Sequence, residues 1–243
     1  MPRITGPAFI AGCDVYNSDS VISPNLELGQ RIKGSNGAEF RYVKVGGTAL
    51  VVGNVIQSPA YGTDHNALVV AATDAGSSSV VVTLATSGVT ANQYKGGTLT
   101  VNTTPGLGET YIIKGHAAQA TVTGTVKIFL EGPIRTAFTS ATRVALRKNP
   151  CDGVIASPVT TLTGSIVGVA IYPIPASSFG FIQTQGPCAA LSDNSSIIMG
   201  SDVEVSLSVA SSIALGGTAG VPRIGRAMQA KDNGKCIPVD LML

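Results

Sequence analysis

The side chains able to do chemistry are few and widely spaced. The chain has two histidines, and His65 follows Asp64 in the loop-like run Tyr61-Gly-Thr-Asp-His65. A general base needs a partner aimed at it within hydrogen-bond reach, which neighbours on a turn rarely provide. His65 is therefore expected to be a solvated loop residue, and His116 stands apart from it. A glycosidase pair of carboxylates could in principle be assembled from Asp193, Asp202 or Glu204. Nothing marks any two as partners, and the expectation is solvated loop carboxylates. Cys13, Cys151, Cys188 and Cys236 form no Cys-x-x-Cys pair and have no histidine nearby, so zinc and thioredoxin-like spacings are missing. Nucleophile-elbow, zinc-protease, P-loop and calcium-loop patterns are absent too. The expectation is a protein that is not an enzyme, with no catalytic residue, no cofactor and no metal.

Composition narrows the partners. Of 243 residues only 12% are charged and 29 are glycine, with a net charge of +2. Ordinary soluble domains carry roughly 25% charged residues. A surface with so few charges is cheap to desolvate and leans towards protein–protein contact, with a bland Thr/Ser-coated monomer as the alternative. Lysines and arginines do not cluster, so no nucleic-acid partner is expected. The longest apolar runs, such as Val80–Leu84, fall far short of the roughly 18 residues that span a bilayer, so no membrane partner is expected either. Phe9-Ile-Ala-Gly-Cys13 looks like a lipoprotein cleavage box, but Pro2, Gly6 and Pro7 interrupt any apolar region before it. With no export signal, four free thiols in a reducing cytoplasm are expected. Asn102-Thr-Thr104 and Asn194-Ser-Ser196 then read as turn residues rather than glycosylation sites.

The elements that must position these residues are strands. Phe179-Gly-Phe-Ile-Gln-Thr-Gln-Gly-Pro187 organises the chain, reading as a half-buried strand that runs into a Gly-Pro turn. Phe40-Arg-Tyr-Val-Lys-Val-Gly-Gly47 matches it at Phe40, Tyr42, Val43 and Gly47, suggesting two related β units. After the first copy a Gly46-Gly47 turn leads to a strand over Leu50–Ile56. Short strands are expected over 68–71, 79–84, 97–101, 110–113 and 122–130, and extended chain from Arg135 to Leu146. The continuous β-branched run Ser165–Ile171 suits a strand buried on both faces. Val203, Val205, Leu207 and Val209 alternate inward, Gly216–Gly220 is a flexible loop, and Asp232-Asn-Gly234 is a hairpin tip before a closing strand. The fold class is all-β, with two small barrel- or sandwich-like units. Residues 1–37 are expected to be an extended N-terminal arm, 38–150 a first β domain and 151–243 a second, barrel-like one.

The runs Gln93–Val101, Gly108–Ile113, Asn149-Pro-Cys-Asp-Gly-Val154, Phe179–Pro187 and Ile224-Gly-Arg-Ala-Met228 resemble head-decoration (cement) proteins of tailed bacteriophages. The resemblance covers roughly residues 90–243 and transfers no functional residue. It implies a virion structural protein, made in the host cytoplasm, that sits on the outer capsid surface as a homotrimer, bound to the major capsid protein. Two other classes stay open: a tail fibre, head fibre or neck component, and a carbohydrate-binding module. Against the last, the chain has no tryptophan and 5% aromatic residues. The isolated apolar residues of the arm, Ile4, Phe9, Ile10 and Ile22, are the candidate contacts to the capsid or to a sister subunit, on which the arm is expected to order.

Overall fold

The computed structural model describes residues 9–10, 13–193, 195–232 and 234–243. They form an all-β protein: β1 (Phe9–Ile10), β2 (Cys13–Asp14), β3 (Arg31–Lys33), β4 (Glu39–Val45), β5 (Val55–Gln57), β6 (Leu68–Val70), β7 (Ser79–Thr83), β8 (Thr98–Val101), β9 (Thr110–His116), β10 (Thr125–Leu130), β11 (Arg143–Arg147), β12 (Asp152–Ala156), β13 (Ile166–Ala170), β14 (Phe179–Leu191), β15 (Asp202–Val205), β16 (Ile213–Leu215), β17 (Arg223–Ala227) and β18 (Cys236–Met242). The chain divides into two compact units, one made of residues 1–60 and 150–243 and the other of residues 61–149. The boundary expected near Pro150 is there, but residues 38–60 belong with the second half of the chain. They do so because β4 pairs with β12 and β14, and β5 with β12 and β13. Hydrogen-bonding across long sequence separations outranks chain order.

Unit 61–149 is a closed barrel in the order β10-β7-β6-β11-β8-β9, every pair antiparallel. Most of its strands keep a period of two, as in Thr125–Leu130, where Val126, Ile128 and Leu130 are buried and the residues between them exposed; β11 departs from it, with Val144, Ala145 and Leu146 all buried. A barrel wall has one face on the core and one in water, and alternation is the sequence form of that geometry. The inward residues make one cluster that includes Leu68, Val82, Leu99, Ile113, Ile128, Phe138 and Leu146.

The other unit is a ten-stranded sheet, β16-β15-β17-β18-β14-β13-β5-β12-β4-β3, with β14 pairing β4 as well. That extra pairing closes β14, β13, β5, β12 and β4 into a ring. At the other end, a parallel bridge from Ser192 to Ile213 brings β16 back beside the end of β14. β14 is the shared wall. Its first half, opposite β4 from Phe179↔Lys44 to Gln183↔Phe40, is buried on both faces. Its second half pairs only with β18 from Pro187↔Asp240 to Leu191↔Cys236 and alternates buried with exposed.

The strand was expected to stop at Gly186-Pro187, yet it runs on to Leu191. A register shift between Gln183 and Gln185, with Gly186 at φ +81°, bends the chain there instead of ending it. The buried Gln183 amide donates to the carbonyls of Gln185 (2.9 Å) and Pro187 (2.8 Å), satisfying the bend. Pro187 lacks an N–H, which is tolerated where a single strand flanks it.

The two matching runs are neighbours rather than separate units, since Tyr42 stands directly opposite Phe181 with ring centroids 5.1 Å apart. No β4–β5 hairpin forms across Gly46-Gly47, because β12 lies between the two strands, parallel to β4 and antiparallel to β5. The run Ile166–Ala170 is buried over Val167–Ala170, as its β-branched character requires. The Asp202–Val209 alternation is cut short at Val205.

The expectation that residues 1–37 order only on a neighbour is overturned for residues 13–37. Val15, Leu26 and Ile32 are buried with Phe40, Tyr42 and Phe181 in one cluster. Backbone hydrogen bonds join Asp19 and Phe179 in both directions, at 3.0 and 2.7 Å. Two tyrosine hydroxyls fasten the same segment: Tyr172 donates to the Asn17 carbonyl, and Tyr42 accepts from the Ser23 N–H. Val15, Leu26 and Ile32 follow no period because the strap is irregular and each of the three plugs separately into the aromatic cluster.

Candidate functional site

The three carboxylates singled out from the sequence come from one end of the ten-stranded sheet, yet each has its own partners. Asp193 is buried and accepts from the Ser195 N–H and the Ser206 hydroxyl, both at 2.7 Å. The Ser206 oxygen in turn accepts from the N–H groups of Ser208 and Val209. Glu204 is buried as well, and one of its oxygens accepts from the N–H groups of Gly217 (2.9 Å) and Thr218 (3.1 Å). Asp202 makes ion pairs with Arg223 at 2.6 Å and Arg226 at 3.2 Å at the surface. The expectation of solvated carboxylates therefore fails for Asp193 and Glu204, and the Gly216–Gly220 loop is pinned by Glu204 at Gly217 and Thr218. The cause is a fold-over that no local pattern signals: Val203 and Val205 face the core, and the loop closes over the charge between them. Buried carboxylates with such backbone donors hold loops in place.

Both histidines are buried, so His65 is not the solvated loop residue expected. His65 Nε2 lies 3.0 Å from the Ser87 carbonyl, which sets the proton there, so Nδ1 accepts from the Tyr94 hydroxyl. His116 Nδ1 donates to the Ala117 carbonyl at 2.9 Å, and its Nε2 accepts from the Tyr94 N–H at 3.1 Å. Tyr94 thus stands between both imidazoles, with ring centroids 5.5 and 5.8 Å away. Burial raises its phenol above the ordinary range. Every ring nitrogen is occupied, so the trio is a polar brace across the barrel wall of unit 61–149 and leaves no base free for a substrate. Cys151, Cys188 and Cys236 are thiols outside any disulfide. Burial pushes the Cys188 thiol up to about 12, and Cys151 is raised by burial despite the opposing Arg41 charge, so neither is an activated nucleophile. Among the described residues no cluster of His, Cys, Asp and Glu can hold a metal ion, and no helix is long and apolar enough to cross a membrane.

Of the candidate contact residues, Ile4 lies outside the described residues. Phe9 and Ile10 form β1 against β2. Ile22 is exposed on the strap, beside Val21 (71% exposed) and near Tyr16 (56%). The strap therefore turns Val15 and Leu26 inward and shows Tyr16, Val21 and Ile22 to solvent. The sequence reading named Ile22 and missed its two companions, although Val21 is its direct neighbour. It also missed Ile198 (63% exposed) and Met199 (69%). Backbone bonds from Gly200 to Ala227 and from Ala227 to Ser201 bring these beside the exposed Met228. The available signal was an apolar run, Ile197-Ile-Met199, ending in a Gly-Ser turn.

By architecture this is an all-β protein of two barrel-like units, one inserted into the chain of the other. No protein-family model, curated protein or solved structure matches the chain.

Proposed function

We propose that the protein is a virion structural protein, a decoration (cement) protein that binds the outside of a tailed-phage head and reinforces the shell. The observation that carries this reading is how the polar groups are used. Asp193, Glu204, His65 and His116 are buried and bound to partners within the fold, whereas Tyr16, Val21, Ile22, Ile198 and Met199 stand exposed. Apolar side chains at a surface of few charges favour contact with another protein over chemistry on a small substrate. The resemblance to cement proteins supports the same reading, and its residues fall in both units: β8 and β9 in the inserted one, β14 and β17 in the other. A homotrimer on the capsid follows from that resemblance and from the three-fold positions of an icosahedral shell. Three tied contacts strengthen attachment by a factor that can reach roughly 10²–10⁴ for each link added.

The test is to measure the solution mass by light scattering, then to compare heat- or osmotic-shock release of DNA from particles with and without the protein. A trimer whose addition delays release is the expected result. A monomer that does not bind shells, or shells equally robust without it, would overturn the proposal and favour a fibre or neck component.

A further inference from the structure

We propose that Gln57 and Ser157 together hold an internal water molecule where β5, β12 and the segment around Ser211 meet. Gln57 is 0% exposed and Ser157 1% exposed, and Gln57 Oε1 and Ser157 Oγ are both buried without a protein partner. Such atoms are rare in folded proteins and each demands an explanation. Here the two share a place. Ile155 stands opposite Gln57 in the β5–β12 pair, and the Ser157 N–H donates to the Val55 carbonyl at 2.9 Å, carrying the register one step on. Ser157 is thus two residues beyond the partner of Gln57, on the same face of the sheet. Diagonal neighbours of this kind lie roughly 7–8 Å apart at Cα and closer at Cβ. One water, bonding at about 2.8 Å to each side with a near-tetrahedral angle between the bonds, bridges two heavy atoms roughly 4.5 Å apart.

The surroundings select a neutral guest. The Gln57 amide is fixed from its other end, Nε2 donating to Thr163 Oγ1 at 2.6 Å, so Oε1 is left as a pure acceptor. Ser157 Oγ both donates and accepts, which with Gln57 gives a water the two or more polar partners it requires. The same junction is knotted by three backbone bonds, Ser157 N–H to Val55, Val55 N–H to Ser211 and Ser211 N–H to Ser157, at 2.8–2.9 Å. A water set into this three-way meeting completes the hydrogen bonding of segments that are far apart in the chain.

The experiment is an atomic-resolution crystal structure of the full chain, with oxygen-17 relaxation dispersion on the protein and on Ser157→Ala. Density within hydrogen-bond distance of both Gln57 Oε1 and Ser157 Oγ is expected, together with the loss of one long-lived water in the variant. The double variant Gln57→Met/Ser157→Ala, which removes both polar ends, is expected to melt no lower than Ser157→Ala alone. A direct Ser157–Gln57 hydrogen bond with no density between them would overturn the proposal, as would an unchanged number of long-lived waters. If Ser157→Ala fails to fold, the wild-type density decides.

Discussion

The two units solve the same problem, closing a sheet, with opposite economies. Unit 61–149 uses short antiparallel strands taken from one continuous stretch, and its core is a single apolar cluster. The unit of residues 1–60 and 150–243 is assembled from two distant stretches around one strand, β14, and its core is three clusters. It also buries far more polar side chains, Gln57, Gln183, Asp193, Glu204 and several serines among them. Over Gly180–Thr184 the shared wall has no solvent face. The residues along it answer to packing on both sides, and its bends need side-chain hydrogen bonds in place of water.

The sharpest way to break this comparison is to damage β14 alone. A Cβ on Gly180 would collide with the Tyr172 hydroxyl and lie 3.0 Å from Ile174 Cδ1. Gly180→Val is therefore expected to cost about 3 kcal/mol or more by overpacking, enough to unfold a marginal unit. Calorimetry should show the transition of unit 61–149 persisting while the other is lost or strongly lowered. Equal loss in both units would mean that they do not behave as separate bodies. A milder probe of the same wall is Tyr172→Phe. The hydroxyl accepts from the Phe181 N–H at 3.1 Å and donates to Asn17. Its removal leaves a buried N–H unpaired, at roughly 1–3 kcal/mol. The strap should then be cut by protease near Asn17 well before the rest of the chain, and uniform protection would argue that the hydroxyl holds nothing.

What the sequence disclosed follows the same division. In unit 61–149 the strands over 68–71, 79–84, 97–101 and 110–113 lie within a few residues of those formed, because a barrel wall leaves a period-two record. The centrality of Phe179–Ala190 was legible as well, from its aromatic and β-branched density. What stayed hidden was non-local. Nothing near Gly46 says that β12 will lie beside β4, and nothing near Glu204 says that Gly217 and Thr218 will fold over it. Likewise, His65 sits in a run that reads as loop, and its burial depends on Tyr94 and Ser87 far along the chain.

The insertion itself can be tested by excision, with a smaller expected effect. β5 and β12 pair antiparallel, Gln57↔Ile155 and Ile56↔Ala156, so they form a hairpin whose connection contains the whole of residues 61–149. The ends of that unit are already tied, since Arg147 Nη1 donates to the Gly62 carbonyl at 2.7 Å and the Leu146 N–H to His65 at 3.0 Å. Folded, it acts as a short loop, and replacing it by a glycine-containing turn is expected to shift the stability of the remainder by ~1 kcal/mol or less. Denaturant melts of the shortened chain and of residues 61–149 alone should each be cooperative. A shortened chain without a transition would show that the insertion supports the sheet it interrupts.

The smallest effect belongs to the inserted unit and concerns pH. Glu109 follows the β8–β9 turn, where it accepts from the Tyr111 hydroxyl at one oxygen and from the Thr136 hydroxyl at the other, the latter at 2.7 Å. These bonds, the Tyr111 one foremost, hold its carboxyl below the ordinary range. A carboxyl whose folded value is depressed adds stability above its unfolded value, about 4.3 for glutamate, and that stability is lost as pH falls through the folded value. Acidification should therefore lower the melting temperature of residues 61–149 slightly, at pH values below about 4.3. Solvent around this group keeps the change small. Glu109→Gln retains acceptance from Tyr111 without the charge, so its melting temperature should start lower at neutral pH and depend less on acid. If wild type and variant lose stability in parallel as the pH falls, Glu109 is not the group that titrates, and the acid response of the barrel lies elsewhere.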